Sequence, residues 1–114
     1  MNILFIDDED VMLQLYRSLG HFEPEFKSIY TAHNVLDALI LLEHAALNID
    51  IICSDITMPD INGIKGYDII TKKYPAFVDK YLFITGNADE YNNKRVLRKP
   101  VSMDELIIAI KELG

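Results

Sequence analysis

The chain has little of what disulfide-linked, membrane-spanning or nucleic-acid-binding proteins depend on. Cys53 is the only cysteine, so no disulfide can form within the chain. The apolar runs are too short to span a membrane, and Asp7 and Asp8 interrupt the first run too early for a secretory signal. The net charge of -7 argues against binding to DNA or to anionic lipid. We therefore expect a cytoplasmic protein that contacts neither nucleic acid nor membrane.

The composition is that of one folded domain. The chain has 114 residues, of which 50% are hydrophobic and 25% are charged. A chain of this size can bury a core of its own, and it contains no linker, repeat or low-complexity tract. We expect a single domain over residues 1–114.

Strand-like and helix-like segments alternate along the chain, which predicts an α/β fold with parallel strands joined by helices. Strands are predicted near 2–7, 27–32, 49–54, 80–85 and 96–98, and helices near 10–20, 35–47, 64–74 and after Ser102. Gly20 reads as a helix stop, Asn34 as an N-cap and Ser102 as the start of a capping box. The strand near 49–54 is apolar without alternation, which predicts burial on both faces.

Polar side chains follow four of these strands at the point where each ends. Asp7 and Asp8 follow the first strand, Asp55 the third, Thr85 the fourth, and Lys99 the last. Ligand sites of open parallel sheets lie outside the carboxyl ends of the strands, so these groups are expected to meet. Acids, a hydroxyl and an amine together predict a phosphoryl-transfer pocket.

Magnesium is the cation that such a pocket calls for, because a carboxylate and a phosphoryl group repel each other. The predicted ligands are Asp7, Asp8 and Asp55, with the backbone carbonyl of Thr57 as a further neutral oxygen. Which acid binds directly and which binds through water stays open. Lys99 is expected to pair with Asp55 before reaction and with a phosphoryl oxygen after it. The following residue, Pro100, restricts the backbone, and the Lys99–Pro100 peptide bond is a candidate for the cis form.

These residues, in this order, resemble the receiver domain of two-component response regulators, and the resemblance covers essentially the whole chain. The segment 58–63 (MPDING) and the Lys99-Pro100 pair are similar to the family's own motifs. The resemblance implies a doubly wound, five-stranded parallel sheet in the flavodoxin-like order 2-1-3-4-5. It also implies Asp55 as phosphoacceptor, Asp7 and Asp8 as the acidic pair for Mg²⁺, Thr85 as switch hydroxyl and Lys99 as pocket lysine.

By the same resemblance the chain is a switch rather than a turnover enzyme. It would accept a phosphoryl group from a partner histidine kinase or histidine phosphotransfer protein and then change its affinity for a downstream protein. Two alternatives stay open. One is a receiver-like interaction module that no longer uses phosphorylation. The other is a magnesium-dependent phosphohydrolase, although such enzymes carry a second Asp where this chain has Thr57.

Two departures from the family pattern stand out. Val96 occupies a position, three residues before Lys99, where the family usually has Tyr or Phe. If the fourth strand ends near Gly86 and the fifth begins near Arg95, only about eight residues connect them, whereas parallel crossovers need a dozen or more. We therefore expect the fourth crossover helix to be reduced or absent. Part of the sheet and one side of the last helix would then be exposed, a face through which a homodimer could form.

Other polar residues receive plainer interpretations. Taken singly, Asp8 or Asp10 would serve as an N-cap, and Glu9 and Asp60 are expected to face solvent rather than bind a metal. The three histidines lack metal-ligand spacing, so we expect surface or packing roles for them.

Overall fold

The computed structural model describes residues 1–86 and 95–114. Within them, five strands form one parallel sheet in the order β2-β1-β3-β4-β5: β1 (Asn2–Ile6), β2 (Ser28–Ala32), β3 (Ile51–Asp55), β4 (Tyr81–Thr85) and β5 (Val96–Arg98). The helices are α1 (Asp10–Phe22), α2 (Val35–Ala45), α3 (Gly63–Lys73) and α4 (Met103–Leu113). Short 3-10 turns follow α2 and α3, at Ala46–Asn48 and Pro75–Phe77. The predicted α/β class and strand order are confirmed.

Two hydrophobic cores lie on opposite faces of the sheet. Alternate residues of β1 point to opposite sides, so Ile3 and Phe5 join one core while Leu4 and Ile6 join the other. The first core packs against α1 and α4, and the second against α2 and α3. All five residues of β3 are buried, as predicted for a central strand with helices on both faces.

The helix starts follow their capping residues closely. The side chains of Asn34, Asn62 and Ser102 each accept a hydrogen bond from the backbone N–H three residues later. The caps predicted at Asn34 and Ser102 are therefore confirmed. The N-cap of α1 is Glu9, and its side chain makes no capping hydrogen bond, so neither Asp8 nor Asp10 takes that position.

Two predicted helix ends are wrong. The first helix continues through Gly20 to Phe22, because the next turn gains a hydrogen bond from the Glu23 N–H to the Leu19 carbonyl (3.0 Å). Glycine inside a helix costs only about 1 kcal/mol, which one further turn can offset. The second helix ends at Ala45 rather than at Leu47, which lies fully exposed in the 3-10 turn.

The predicted loss of the fourth crossover helix concerns residues 87–94 and lies outside the described residues. Both flanking strands are described. No residue of β4 is more than 4% exposed, so the predicted exposure of part of the sheet does not include this strand. Val96 and Leu97 of β5 are half-buried, and Ile108 of α4 is exposed. A homodimer through that face of α4 stays a prediction.

Within residues 1–86 and 95–114, no helix has the length and apolar character needed to cross a bilayer.

Candidate functional site

Two buried carboxylates lie side by side at the carboxyl end of the sheet. Asp55 is the last residue of β3, and Asp7 comes directly after β1. The two strands are hydrogen-bonded neighbours whose register pairs Ile6 with Ser54, and this places the acids next to each other. Asp7 is 0% exposed and Asp55 is 5% exposed. Buried carboxylates are rare unless they are paired, so this arrangement needs a cation.

Lys99 supplies a positive charge to both acids. Its Nζ atom lies 3.3 Å from Asp7 Oδ2 and 3.2 Å from Asp55 Oδ2. The Lys99 backbone N–H donates to the carbonyl of Thr85 (2.9 Å), which anchors the residue at the end of β4. The Lys99–Pro100 peptide bond is cis, as considered from the sequence. One ammonium is thus shared by two carboxylates that are far apart in the chain.

The electrostatics of the site are unbalanced toward negative charge. Burial raises the pKa of Asp7, and the Glu9 N–H and the Lys99 ammonium offset this rise only in part. Burial likewise raises the pKa of Asp55, which Lys99 counteracts and the charge of Asp7 reinforces. Burial alone would lower the pKa of Lys99, but Asp7 and Asp55 outweigh it and raise that pKa. Lys99 therefore stays charged, and the site can take further positive charge.

Four acids are close enough to bind one metal ion. Asp7, Asp8, Glu9 and Asp55 each offer a carboxylate oxygen, and these oxygens all lie within 4.8 Å of one another. Oxygen ligands of an octahedral Mg²⁺ lie about 3 to 4 Å apart, because each metal–oxygen bond is about 2.1 Å. Asp8 and Glu9 are exposed and free to adjust, so the donor set fits a hard divalent cation.

The sequence interpretation did not include Glu9 in this group of acids. Its side chain is 62% exposed, as predicted, yet Glu9 Oε1 lies 3.7 Å from Lys99 Nζ and belongs to the group of four acids. The sequence signal was present, since Glu9 directly follows Asp7 and Asp8. The predicted backbone carbonyl of Thr57 is not tested by any contact, and its role stays a prediction. The Thr57 N–H donates to Asp55 Oδ1 at 3.3 Å.

The loop that follows Asp55 folds back tightly onto the strand end. The Gly63 N–H donates to the carbonyl of Ile56 (2.8 Å), which closes residues 56–63 into a compact turn. A Cβ atom at Gly63 would overlap the Asp55 carbonyl oxygen and lie 2.8 Å from Ile56 Cα. Within the same turn Asp60 has a φ of 67°, in the left-handed region. This compact turn fixes the backbone beside Asp55.

Thr85 lies at the same edge of the sheet. It is the last residue of β4 and is buried, and β4 neighbours β3 with Ile84 opposite Asp55. The structure therefore brings Asp7, Asp55 and Lys99 into direct contact, with Thr85 at the neighbouring strand end. Its role as a switch hydroxyl stays a prediction.

Tyr16 is a second residue that contacts the site and that the sequence interpretation did not assign to it. The Tyr16 hydroxyl donates to Asp7 Oδ2 at 3.4 Å, and the ring stacks on Phe5 with centroids 4.3 Å apart. Burial raises the pKa of Tyr16 well above its ordinary value, so the hydroxyl remains a donor. A tyrosine on the buried face of a helix was the available signal, because a buried phenol needs a hydrogen-bond partner.

The histidines lie outside this group. His21, His33 and His44 are exposed, and the described metal-capable cluster contains none of them. His33 Nε2 lies 2.6 Å from Asp10 Oδ1 on the surface. The predicted surface roles are confirmed.

Comparisons with known proteins point to one family. The profile of the response regulator receiver domain matches residues 3–111. The chain is 28% identical over 121 residues to the response regulator SaeR of Staphylococcus aureus, covering 98% of this chain and 50% of that protein. It is 24% identical over 123 residues to the sensor kinase CckA of Brucella abortus, covering 97% of this chain and 12% of that protein.

A solved structure agrees with these relatives. The receiver domain protein from Clostridium thermocellum is 28% identical and superimposes with a TM-score of 0.80, covering 98% of this chain and 92% of that one. The chain spans half or less of the two curated relatives, and most of the length of this solved domain. The family match covers nearly every residue from β1 to α4, and the strand order and the acidic strand ends agree with it. The chain belongs to the response regulator receiver domain family.

Proposed function

We propose that Asp55 accepts a phosphoryl group from a partner histidine kinase or histidine phosphotransfer protein, and that this modification changes the affinity of the domain for a downstream protein. The observation that carries the proposal is the buried Asp7–Lys99–Asp55 arrangement, with Nζ–oxygen distances of 3.3 and 3.2 Å. The single-domain match over residues 3–111 supports a unit that acts as a signalling module rather than as a turnover enzyme.

Asp55 is the nucleophile in this proposal. A carboxylate oxygen forms a bond to phosphorus while the P–N bond of the donor phosphohistidine breaks, and the imidazole nitrogen keeps the electron pair. Burial raises the pKa of Asp55, whereas the Lys99 ammonium lowers it and so favours the ionised, nucleophilic carboxylate. Water later attacks the phosphorus of the acyl phosphate, which releases phosphate and restores the carboxylate.

The surrounding residues supply charge and hydrogen bonds. Lys99 can leave Asp55 for a phosphoryl oxygen, because its ammonium is a compact charge on a flexible stem. The Thr57 N–H, 3.3 Å from Asp55 Oδ1, can hold the carboxylate, and the Thr85 hydroxyl can donate to another phosphoryl oxygen.

Magnesium fits the acidic group and would be held by Asp7, Asp8 and Asp55, with Glu9 at the exposed edge. When bound, it supplies the positive charge that lets a carboxylate approach a phosphoryl dianion. The burial of Asp7 and Asp55 supports this role, because the two buried carboxylates share the Lys99 ammonium, whose single positive charge balances only one of their two negative charges.

The test is direct phosphorylation. The protein is incubated with MgCl2 and acetyl phosphate, and its intact mass is measured for wild type, Asp55→Asn and the matched control Asp68→Asn, which changes an exposed acid on α3. We expect wild type and Asp68→Asn to gain one phosphoryl group and Asp55→Asn to gain none. A phosphoryl group retained by Asp55→Asn would place the acceptor elsewhere.

One observation favours a second candidate, an interaction module that does not depend on phosphorylation. Val96 is half-buried in β5, opposite Phe83 of β4, and packs against the core on the α2 and α3 side. It has no ring that could change rotamer when Asp55 is modified. Amide spectra with Mg²⁺ and beryllofluoride separate the two: shifts reaching β5 and α4 support the switch, whereas shifts confined to the residues around Asp55 support the second candidate.

A further inference from the structure

Asp7 receives three hydrogen bonds from three different parts of the chain. Its Oδ1 atom accepts from the Glu9 N–H at 2.9 Å. Its Oδ2 atom accepts from Lys99 Nζ at 3.3 Å and from the Tyr16 hydroxyl at 3.4 Å. The carboxylate therefore has one backbone donor and two side-chain donors, and these two differ greatly in mobility.

Tyr16 is held in place by packing. It is 1% exposed, and its ring lies nearly parallel to that of Phe5, with an interplanar angle of 10°. Phe5 belongs to β1, two residues before Asp7, so the strand that carries the acid also positions the ring. The hydroxyl cannot turn away from Asp7 unless this part of the core repacks.

The Lys99 side chain, unlike that of Tyr16, is not held in one position by packing. Its ammonium lies within 4.0 Å of Asp7, Asp55 and Glu9, and its flexible stem allows it to change partners. A phosphoryl group on Asp55 would attract it, and Asp7 would then lose one of its two side-chain donors. Among the donors to Asp7 in the described part of the chain, Tyr16 is the side chain that stays.

We infer that Tyr16 is a positioning residue: its hydroxyl holds the Asp7 carboxylate in the orientation that faces the divalent cation, before and after Lys99 moves to the phosphoryl group. The inference rests on the proposed function and adds to it a residue from the buried face of α1. Outer partners of this kind fix the direction of metal-binding side chains, and their loss weakens metal binding by about 10- to 100-fold in well-ordered sites. The Tyr16 contact is long, so a smaller effect is expected here.

The test replaces Tyr16 by Phe, which keeps the ring stacked on Phe5 and removes only the hydroxyl. Tyr67→Phe is the matched control, because the Tyr67 hydroxyl donates to the Val78 carbonyl (3.1 Å) in the other core. The rate of phosphorylation of Asp55 by acetyl phosphate is measured as a function of Mg²⁺ concentration. In Tyr16→Phe we expect the half-saturating Mg²⁺ concentration to rise about three- to tenfold, with the rate at saturating Mg²⁺ within about twofold of wild type. Tyr67→Phe should match wild type in both.

A second measurement needs no variant and no phosphorylation. Wild-type protein labelled with ¹³C at the tyrosine Cζ atoms is titrated with MgCl2, and the Tyr16 resonance is identified by its proximity to the Phe5 ring. A hydroxyl that donates to a metal-binding carboxylate reports on metal binding directly. The Tyr16 resonance should therefore move with the same midpoint as metal binding, while the Tyr67 resonance should stay in place.

The outcomes separate this inference from the proposed function. Wild-type Mg²⁺ dependence in Tyr16→Phe would overturn the inference and leave the proposed function intact. A rate that stays low in Tyr16→Phe even at saturating Mg²⁺ would mean a general structural defect, which also overturns it. Wild-type protein that is not phosphorylated at any Mg²⁺ concentration would overturn both.

Discussion

Gly63 lies where the backbone beside Asp55 leaves no room for a Cβ atom. A Cβ atom there would overlap the backbone of Asp55 and lie 2.8 Å from Ile56 Cα, and neither backbone can move without disturbing the strand end. We expect Gly63→Ala to lower the free energy of unfolding by about 2 kcal/mol or more and to reduce phosphorylation of Asp55. Thermal denaturation and the intact-mass assay measure the two effects.

Gly86→Ala is the control for this substitution. Among the described residues, a Cβ at Gly86 would meet no atom within 4 Å, so its stability should stay within about 0.5 kcal/mol of wild type. If Gly63→Ala were equally harmless, the turn beside Asp55 would have to be looser than the structure shows.

Asp55 should make the metal-free protein less stable at neutral pH. Burial raises its pKa in the folded state above the ordinary value of an aspartate, so the folded state holds the proton more tightly than the unfolded state. The resulting cost is absent below the unfolded pKa and grows as the pH rises through the folded pKa. In EDTA at pH 7 we therefore expect Asp55→Asn to have a higher melting temperature and a larger free energy of unfolding than wild type.

The sign can be checked by repeating the melts at lower pH. The advantage of Asp55→Asn should shrink as the pH falls towards 4, because wild-type Asp55 then gains its proton. The exposed control Asp68→Asn should show little change at either pH. An Asp55→Asn variant that melts below wild type at pH 7 would mean that Lys99 stabilises the ionised Asp55 by more than its burial costs.

At the level of whole helices and strands, the sequence predicted which elements exist and in what order better than it predicted the residue at which each element ends. The capping residues Asn34 and Ser102 were found because a side-chain oxygen before an apolar stretch is a local signal. The end of α1 was not found, because Gly20 is a weak stop and the further turn is decided by hydrogen bonds and packing. Whether a helix ends is a balance of about 1 kcal/mol, which tertiary contacts can reverse.

Gly66 and Val35 touch where α2 packs against α3, so we expect substitutions at these two residues to have coupled effects on stability. A Cβ at Gly66 of α3 would lie 2.7 Å from Val35 Cγ2 of α2, and the other two nearest atoms also belong to Val35. Gly66→Ala alone should therefore destabilise the protein by about 1 to 3 kcal/mol, and Val35→Ala alone by about 1 to 2.5 kcal/mol through the cavity it leaves. In the double variant the added methyl group occupies that space, and alanine favours the helix over glycine by about 1 kcal/mol.

The double variant should thus be more stable than the sum of the single changes predicts, with a coupling energy of at least about 1 kcal/mol. Urea denaturation of the four proteins measures it. Additive effects would mean that Gly66 and Val35 do not share one space, and that the two helices adjust independently.

On the scale of the whole molecule, topology made the central part of the site predictable. Asp7, Asp55 and Lys99 are distant in sequence, but parallel neighbouring strands bring their carboxyl ends to one edge, so strand ends were sufficient to find them. Glu9 and Tyr16 were missed because their contribution depends on side-chain direction and packing, which a strand-end pattern does not contain. The sequence therefore predicts the three charged residues at the strand ends but not the side chains that reach them from α1 and from the segment before it.

Because only the folded chain assembles the acids, Mg²⁺ should stabilise the fold. The unfolded chain keeps Asp7 and Asp8 far from Asp55, so the metal binds the native state preferentially and shifts the equilibrium towards it. At about ten times its dissociation constant, MgCl2 should add ~1.4 kcal/mol to the free energy of unfolding. That gain corresponds to a rise of about 5 °C in the melting temperature of a chain of this size.

KCl at equal ionic strength should not produce this rise, and Asp7→Asn should lose most of it even if the variant starts from a higher melting temperature in EDTA. An equal rise in Asp7→Asn would mean that the ion acts elsewhere on an acidic surface, and the group of four acids would no longer account for the metal dependence.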